Sequence, residues 1–436
     1  MSQPGSPYDT PEIARLKNHL MGVVMREMEA HPPVGVDRRE VVLQYLQTTY
    51  QNLRLQLPTS VREQIFHEIL DDLLGFGPLQ PLLDDPDVNE IMVNGPKNVY
   101  IERKGALVKT NITFDNDDQV LRLIDKIILP LGRRIDMDSP TVDARLTDGS
   151  RVNAIIPPVA VDGPALTIRK FQKEKFTVEQ LIRFGTITKS MAEFLRACVI
   201  SRLNIIISGG TGSGKTTLLN VLSGFIPEDE RIVTIEDAAE LRIQQAHLVR
   251  MESKPPNTEG RNAVTIRDLV RNSLRMRPDR IVIGEVRSGE ALDMLQAMNT
   301  GHDGSLTTLH ANSPRDAISR LETMCLMAGM ELPIKVLREQ IASAIDLIIQ
   351  QTRLRDGSRK IVSITEVSGM EGDTVVMTEI FKFVQTGLQE DGKINGEIKP
   401  TGIRPLFYPR LEAAGFHLPP ETFGANLNDM LSTRRR

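Results

Sequence analysis

Leu203-Asn204-Ile205-Ile206-Ile207-Ser208 runs without interruption into Gly209-Gly210-Thr211-Gly212-Ser213-Gly214-Lys215-Thr216 and then into Thr217-Leu218-Leu219-Asn220-Val221-Leu222. An apolar run, a loop of the form Gly-x-x-x-x-Gly-Lys-Thr and a second apolar-rich run, in this order, read as strand, phosphate-binding loop and helix. The glycines let backbone N–H groups close around a triphosphate, the helix points its positive end at the anion, and Lys215 reaches the outer phosphates. Thr216 is placed to ligate Mg²⁺. Gly209 through Thr217 are therefore the expected nucleotide-binding residues, with ATP or GTP as ligand. A ligand-free Gly-rich turn is the bland alternative, and the full pattern in its proper setting disfavours it.

A loop of this kind does not separate a hydrolase from a kinase, so acids on later strands carry that distinction. Arg231-Ile232-Val233-Thr234-Ile235 is an apolar strand that runs into Glu236-Asp237-Ala238-Ala239-Glu240. Arg280-Ile281-Val282-Ile283 is another, closed by Gly284-Glu285. Both acids fall at carboxyl strand ends, where ligands gather in parallel sheets. Carboxylates there can hold the water shell of Mg²⁺ and orient an attacking water. Glu285 with Thr216 is expected to manage Mg²⁺ through water, while Glu236 and Glu240 are both eligible to polarise the nucleophile. Thr307-Thr308-Leu309-His310-Ala311-Asn312 packs polar groups around a short strand, and His310 at its end reads either as a hydrogen-bonded structural residue or as a sensor that donates to a γ-phosphate. His302, upstream of the same strand, reads as structural.

The chain has 436 residues, which at about 150 residues per domain implies about three modules. Its 53 basic and 57 acidic side chains leave a net charge of −4. With 4% aromatics and no Trp, that balance argues against direct nucleic-acid binding. Cys198 and Cys325 lie in apolar helical contexts and read as buried, reduced thiols, which suits cytoplasm and provides neither a disulfide framework nor a metal cluster. The opening residues lack a basic region followed by an apolar one, and no later run approaches about 18 apolar residues. A soluble protein is expected, with any membrane association only through partners.

Residues 1 to 59 read as a disordered start to about Pro11 and a helical appendage broken at His31-Pro32-Pro33. A capping box of Ser60 and Glu63 opens a helix with Val61, Ile65, Phe66, Ile69, Leu70 and Leu73 on one face. The period then changes to two. Short strands near Glu90–Val93, Val99–Ile101, Arg151–Ile156 and Ala165–Phe171, with a helix from about Asp117 to Leu131, make residues 60 to 171 an α+β domain. Residues 172 to 186 form a linker around Gln172-Lys173-Glu174-Lys175. From 187 to 385, apolar strands alternate with helices as in a doubly wound α/β sheet and then return to antiparallel signals, including a hairpin across Asp356-Gly357. Residues 386 to 436 read as a C-terminal extension ending in a solvated Arg434-Arg435-Arg436 tail. Met294, Met298, Met324, Met327 and Met330 read as core or subunit contacts.

The phosphate loop, Glu236-Asp237-x-x-Glu240, Gly284-Glu285 and Thr307–Asn312 resemble the Walker A, Asp box, Walker B and His box of secretion and type IV pilus ATPases. Asp143–Asn153 and Thr167-Ile168-Arg169-Lys170-Phe171 are similar to the CpaF/TadA branch that drives tight-adherence (Flp) pili. The tetracysteine zinc element of many type II secretion ATPases is absent. The resemblance covers about residues 60 to 385, with an echo from Pro405-Leu406-Phe407 to Phe423. It implies a RecA-like motor domain preceded by a PAS-like N-terminal domain, a homohexamer with ATP and Mg²⁺, and work on inner-membrane platform proteins. It further implies that Arg151 and Arg169, with Arg145 a weaker candidate, act on the γ-phosphate from the N-terminal domain, where such arginines can be worth roughly 10³ to 10⁵ in rate.

Overall fold

The computed structural model describes residues 11–31, 37–103, 105–171, 176–256, 261–388 and 392–424. The opening read as disordered, the segment at 172–175 read as a charged linker and the terminal arginines read as a solvated tail fall outside the described residues. Two compact units divide the chain, Met1–Lys173 and Glu174–Arg436.

In the first unit α1 (Pro11–Ala30), α2 (Arg38–Asn52) and α3 (Thr59–Leu74) pack around Leu20, Val24, Val42, Leu46, Ile65 and Ile69. The expected Ser60–Glu63 capping box does not form. The helix starts two residues earlier, with Pro58 in place of Ser60 at the cap position and no side-chain cap bond, so Ser60 already sits in the first turn. A short α4 (Gln80–Asp84) leads into a sheet made of β1 (Val88–Asn94), β2 (Val99–Arg103), β3 (Ala106–Lys109), β4 (Thr141–Arg145), β5 (Arg151–Ile155) and β6 (Ala165–Arg169), with α5 (Asp117–Ile128) between β3 and β4. The strand order is β3-β2-β1-β6-β5-β4, antiparallel throughout, the α+β, PAS-like arrangement. Val120, Ile124 and Ile127 of α5 share one core with Ile91, Val93, Val152 and Ile168 of the sheet. β3 is exposed along its length and so carries no alternation signal in the sequence.

The second unit opens with α6 (Val178–Arg183) and α7 (Lys189–Ile200), each capped by a threonine, Thr177 and Thr188. Then follow β7 (Ile205–Gly209), α8 (Lys215–Ser223), β8 (Ile232–Glu236), β9 (Leu248–Glu252), α9 (Ile266–Ser273), β10 (Arg280–Ile283), α10 (Glu290–Asn299), β11 (Leu306–Leu309), α11 (Pro314–Leu326), α12 (Ile334–Ala344) and β12 (Leu347–Arg353). A hairpin continues into β13 (Arg359–Glu371), β14 (Thr374–Leu388) and β15 (Ile394–Pro400), and α13 (Tyr408–Ala413) ends the series. The order is β15-β14-β13-β12-β7-β11-β10-β8-β9. From β12 to β9 the pairs are parallel and from β12 to β15 antiparallel, a RecA-like α/β sheet with an antiparallel wing.

β7, β8, β10 and β11 are buried along their whole length because helices cover both faces. Ile205 and Ile207 face one apolar layer with α7 and α8, whereas Ile206 faces the other with α9 to α12. Met294, Met298 and Met324 lie in that second layer, but Met327 and Met330 are exposed. Cys198 and Cys325 are buried free thiols, and burial pushes the Cys325 thiol up to about 12. At the amino ends of the strands, fully buried Arg280 pairs with Glu230 at 2.5 Å and donates to the carbonyls of Val199 and Gly304. Gly304 has φ 81, and a Cβ there would stand 1.8 Å from Arg280 Nη1.

The described part of the segment read as a C-terminal extension, as far as Gly424, packs onto this fold. β15 pairs with β14, and Phe407 and Phe423 pack on Phe194 at ring separations of 6.2 and 5.8 Å. Among the described residues, no helix is long and apolar enough to cross a membrane.

Candidate nucleotide site

β7 ends on Gly209 and α8 begins on Lys215, so the phosphate loop spans the carboxyl edge of the sheet at a strand buried on both sides. A Cβ on Gly209 would stand 2.2 Å from the carbonyl oxygen of Gln351 on β12 and 2.6 Å from the Ser213 hydroxyl, so only glycine fits. Gly212 and Gly214 adopt φ of 69 and 96, the left-handed turns that fold the loop back over the helix start. The Ser213 hydroxyl donates to Gly210 O at 2.9 Å, and Lys215 Nζ donates to the same oxygen at 3.0 Å.

From Lys215 a chain of polar contacts crosses the edge. Its Nζ lies 3.3 Å from His310 Nδ1 and 3.4 Å from Nε2. His310 Nε2 lies 2.9 Å from Glu285 Oε1, and Arg287 donates to Glu285 Oε2 at 2.6 Å while standing 3.5 Å from Asp237. The Thr308 hydroxyl donates to Gly284 O at 2.7 Å, tying the ends of β11 and β10 together. Burial pulls the Lys215 ammonium down to about 8. Burial, aided by the positive charge of Lys215, also lowers His310 and favours the neutral imidazole between cation and carboxylate.

Glu236, at the end of β8, is 3% exposed. Its Oε1 accepts the backbone N–H groups of Glu240 and Leu241, both at 2.9 Å, whereas Oε2 has no hydrogen-bond partner among the described residues. Burial pushes this carboxyl up to about 7 despite those two bonds. Gly284 leaves room for it, since a Cβ there would stand 2.9 Å from Glu236 Cγ. Glu240 follows on the half-buried loop that Glu236 holds. His302 sits before the amino end of β11, opposite His310, with its carbonyl accepting the Ser305 hydroxyl.

The second unit thus gathers Gly209 through Thr217, Glu236, Glu240, Glu285 and His310 at one edge. This setting fits a nucleotide with Mg²⁺. Lys215 and the loop N–H groups suit phosphate, while the Thr216 hydroxyl and Glu285 carboxylate are hard oxygen donors. Arg151 and Arg169 lie in the first unit. There the register Arg145↔Arg151↔Arg169 sets three arginines side by side across β4, β5 and β6. Like charges directly opposite on one face are destabilising, and Arg145 of this row stands over the Phe171 ring, 5.9 Å from its centroid. Arg287, Gln351, Arg353 and Arg359 also stand at this edge, outside the motifs that mark the other site residues in the sequence. Arg287 follows Glu285 by two positions and was within reach of a strand-end argument; the other three depend on β12 lying beside β7.

The model of the type II/IV secretion system protein family matches residues 72–379. The chain is similar to a putative conjugal transfer protein of Mycobacterium tuberculosis, 38% identical over 313 residues that cover 70% of this chain and 88% of that protein. It is also similar to the type IV secretion system protein PtlH of Bordetella pertussis, 36% identical over 309 residues, or 65% and 91% of the two chains. Among solved structures, the VirB11 ATPase from the Brucella suis type IV secretion system in complex with sulphate is 31% identical, with 66% of this chain and 91% of that one covered and a TM-score of 0.37.

Proposed function

This chain belongs to the type II/IV secretion system protein family, the secretion traffic ATPases, and from that premise we propose that it hydrolyses ATP as a homohexameric motor of pilus assembly. The observation that carries the reading is the contact chain from Lys215 through His310 to Glu285 beside the phosphate loop. Lys215 neutralises phosphate, the loop N–H groups orient it, and His310 senses the γ-phosphoryl. Mg²⁺, when bound, offsets charge on the transferring group; Thr216 and Glu285 would hold it, Glu285 through water. Because Glu236 commits Oε1 to two backbone N–H groups, its part is to hold the 237–241 loop, and Glu240 is the proposed water-orienting acid. Arg151 and Arg169 supply charge to the γ-phosphoryl, with Arg145 extending their row.

The work done is assembly of a tight-adherence pilus through inner-membrane platform proteins, from the cytoplasm, with the membrane reached only through those partners. Asp143–Asn153 and Thr167–Phe171 support this branch. A type IV secretion role is the second reading, favoured by the conjugal transfer and secretion names of the relatives. Removing the chain from its host separates the two: the first predicts loss of surface fibres, the second loss of DNA or protein transfer with fibres intact.

Phosphate release from ATP and Mg²⁺ by the purified chain tests the chemistry. Lys215→Ala is expected to abolish turnover, and an unchanged rate would remove Lys215 from its role. Stimulation by single-stranded DNA would instead revive a nucleic-acid translocase.

A further inference from the structure

β12 runs parallel to the phosphate-loop strand with Gln351 opposite Gly209, and the hairpin that follows returns as β13 with Arg359 directly opposite Arg353. Opposed residues of an antiparallel pair share one face, so the two arginines stand together at the end of the hairpin nearest the loop. Arg359 Nε donates to Gly212 O at 2.9 Å. A Cβ built on Gly212 would stand 3.7 Å from Arg353 Nη1, and one on Gly214 would stand 3.2 Å from Arg359 Cδ. Both arginines are exposed, and the Gly210 to Gly212 stretch beside them is exposed as well.

From this placement we propose that Arg353 and Arg359 form a phosphate clamp in the same unit as the loop, acting on the α- and β-phosphates of the bound nucleotide. This rests on the nucleotide-binding reading above and adds two residues to it. Arg359 is a positioning residue. By holding the Gly212 carbonyl toward the hairpin, it fixes the peptide that carries the Ser213 N–H and keeps the loop in shape for an anion. Arg353 is the contact residue, with its guanidinium beside the loop turn, and a planar fork suits two phosphate oxygens. The loop N–H groups themselves cradle the α- and β-phosphates. The clamp therefore acts on diphosphate and triphosphate alike, unlike a γ-phosphate sensor such as His310.

The test measures dissociation constants of the full-length chain for ADP and for a non-hydrolysable ATP analogue over a salt series, with melting temperature recorded for each variant. Arg353→Ala is expected to weaken both nucleotides about tenfold and to flatten the salt dependence, while Arg353→Lys recovers part of the loss. Arg359→Ala is expected to weaken both nucleotides, and Arg359→Lys to restore less than Arg353→Lys does, because an ammonium cannot present the Nε geometry that Gly212 O accepts. Unchanged ADP affinity in the Arg353 variant, or a loss confined to the ATP analogue, overturns the clamp. Should Arg359→Ala melt early, the Arg353 pair still decides. A wild-type chain that binds neither nucleotide would instead refute the underlying nucleotide-site reading, so the two failures are distinguishable.

Discussion

Glu236 shows how burial and hydrogen bonding compete at one side chain. Desolvation lifts its carboxyl from 4.5 to about 7 even though two backbone N–H groups favour the anion. A folded-state value above the unfolded one means the stabilising contribution is complete below about 4.5 and is lost as pH rises through about 7. Glu236→Gln keeps an oxygen for the Glu240 and Leu241 N–H groups and carries no charge at any pH. In the nucleotide-free protein it should match the wild type near pH 4.5 and exceed it by about 1–3 kcal/mol at pH 8. Denaturation of both proteins at the two pH values checks this, and a difference independent of pH would refute the burial argument. Glu236 and His310 were legible as strand-end residues. Their protonation was not, because it depends on what is packed around them.

Among the elements, the helices of the second unit were the most legible, since Thr188 and Thr265 announce α7 and α9 and both accept cap bonds in the structure. β4 and β15 were missed because charged and polar residues interrupt their apolar period, and each is held as an edge strand by its neighbour's ladder. The aromatic cluster shows why the C-terminal segment is no appendage: Phe407 and Phe423 close over Phe194, which also lies 5.5 Å from Phe381. Phe407→Ala is expected to cost about 3–5 kcal/mol, lowering the melting transition of the second unit while leaving that of the first in place. Calorimetry resolves the two transitions, and an unshifted second one would place Phe407 outside the core.

For the molecule as a whole, each unit owns its apolar core, so each is expected to fold alone. The proposed arginines belong to one unit and the phosphate loop to the other. A chain limited to Glu174–Arg436 should therefore bind ADP about as well as the full chain, yet release phosphate at least about 10²-fold more slowly. Arg151→Ala in the full chain should reproduce much of that loss with ADP affinity retained. Equal turnover by the shortened and full chains would remove the first unit from the chemistry.

The local spacing of Gly209 to Thr216 between apolar runs determined the α/β class, the phosphate loop and the acids at strand ends, because glycine conformation, helix polarity and strand periodicity are written within a few residues. Tertiary structure alone decided which distant strands lie beside the loop. Pairing β12 with β7 brings Gln351, Arg353 and Arg359 to Gly209–Gly214, and ladder register sets Arg145, Arg151 and Arg169 in one row. Those juxtapositions arise from long-range hydrogen-bond register and the burial of both sheet faces, neither of which a short window of residues contains.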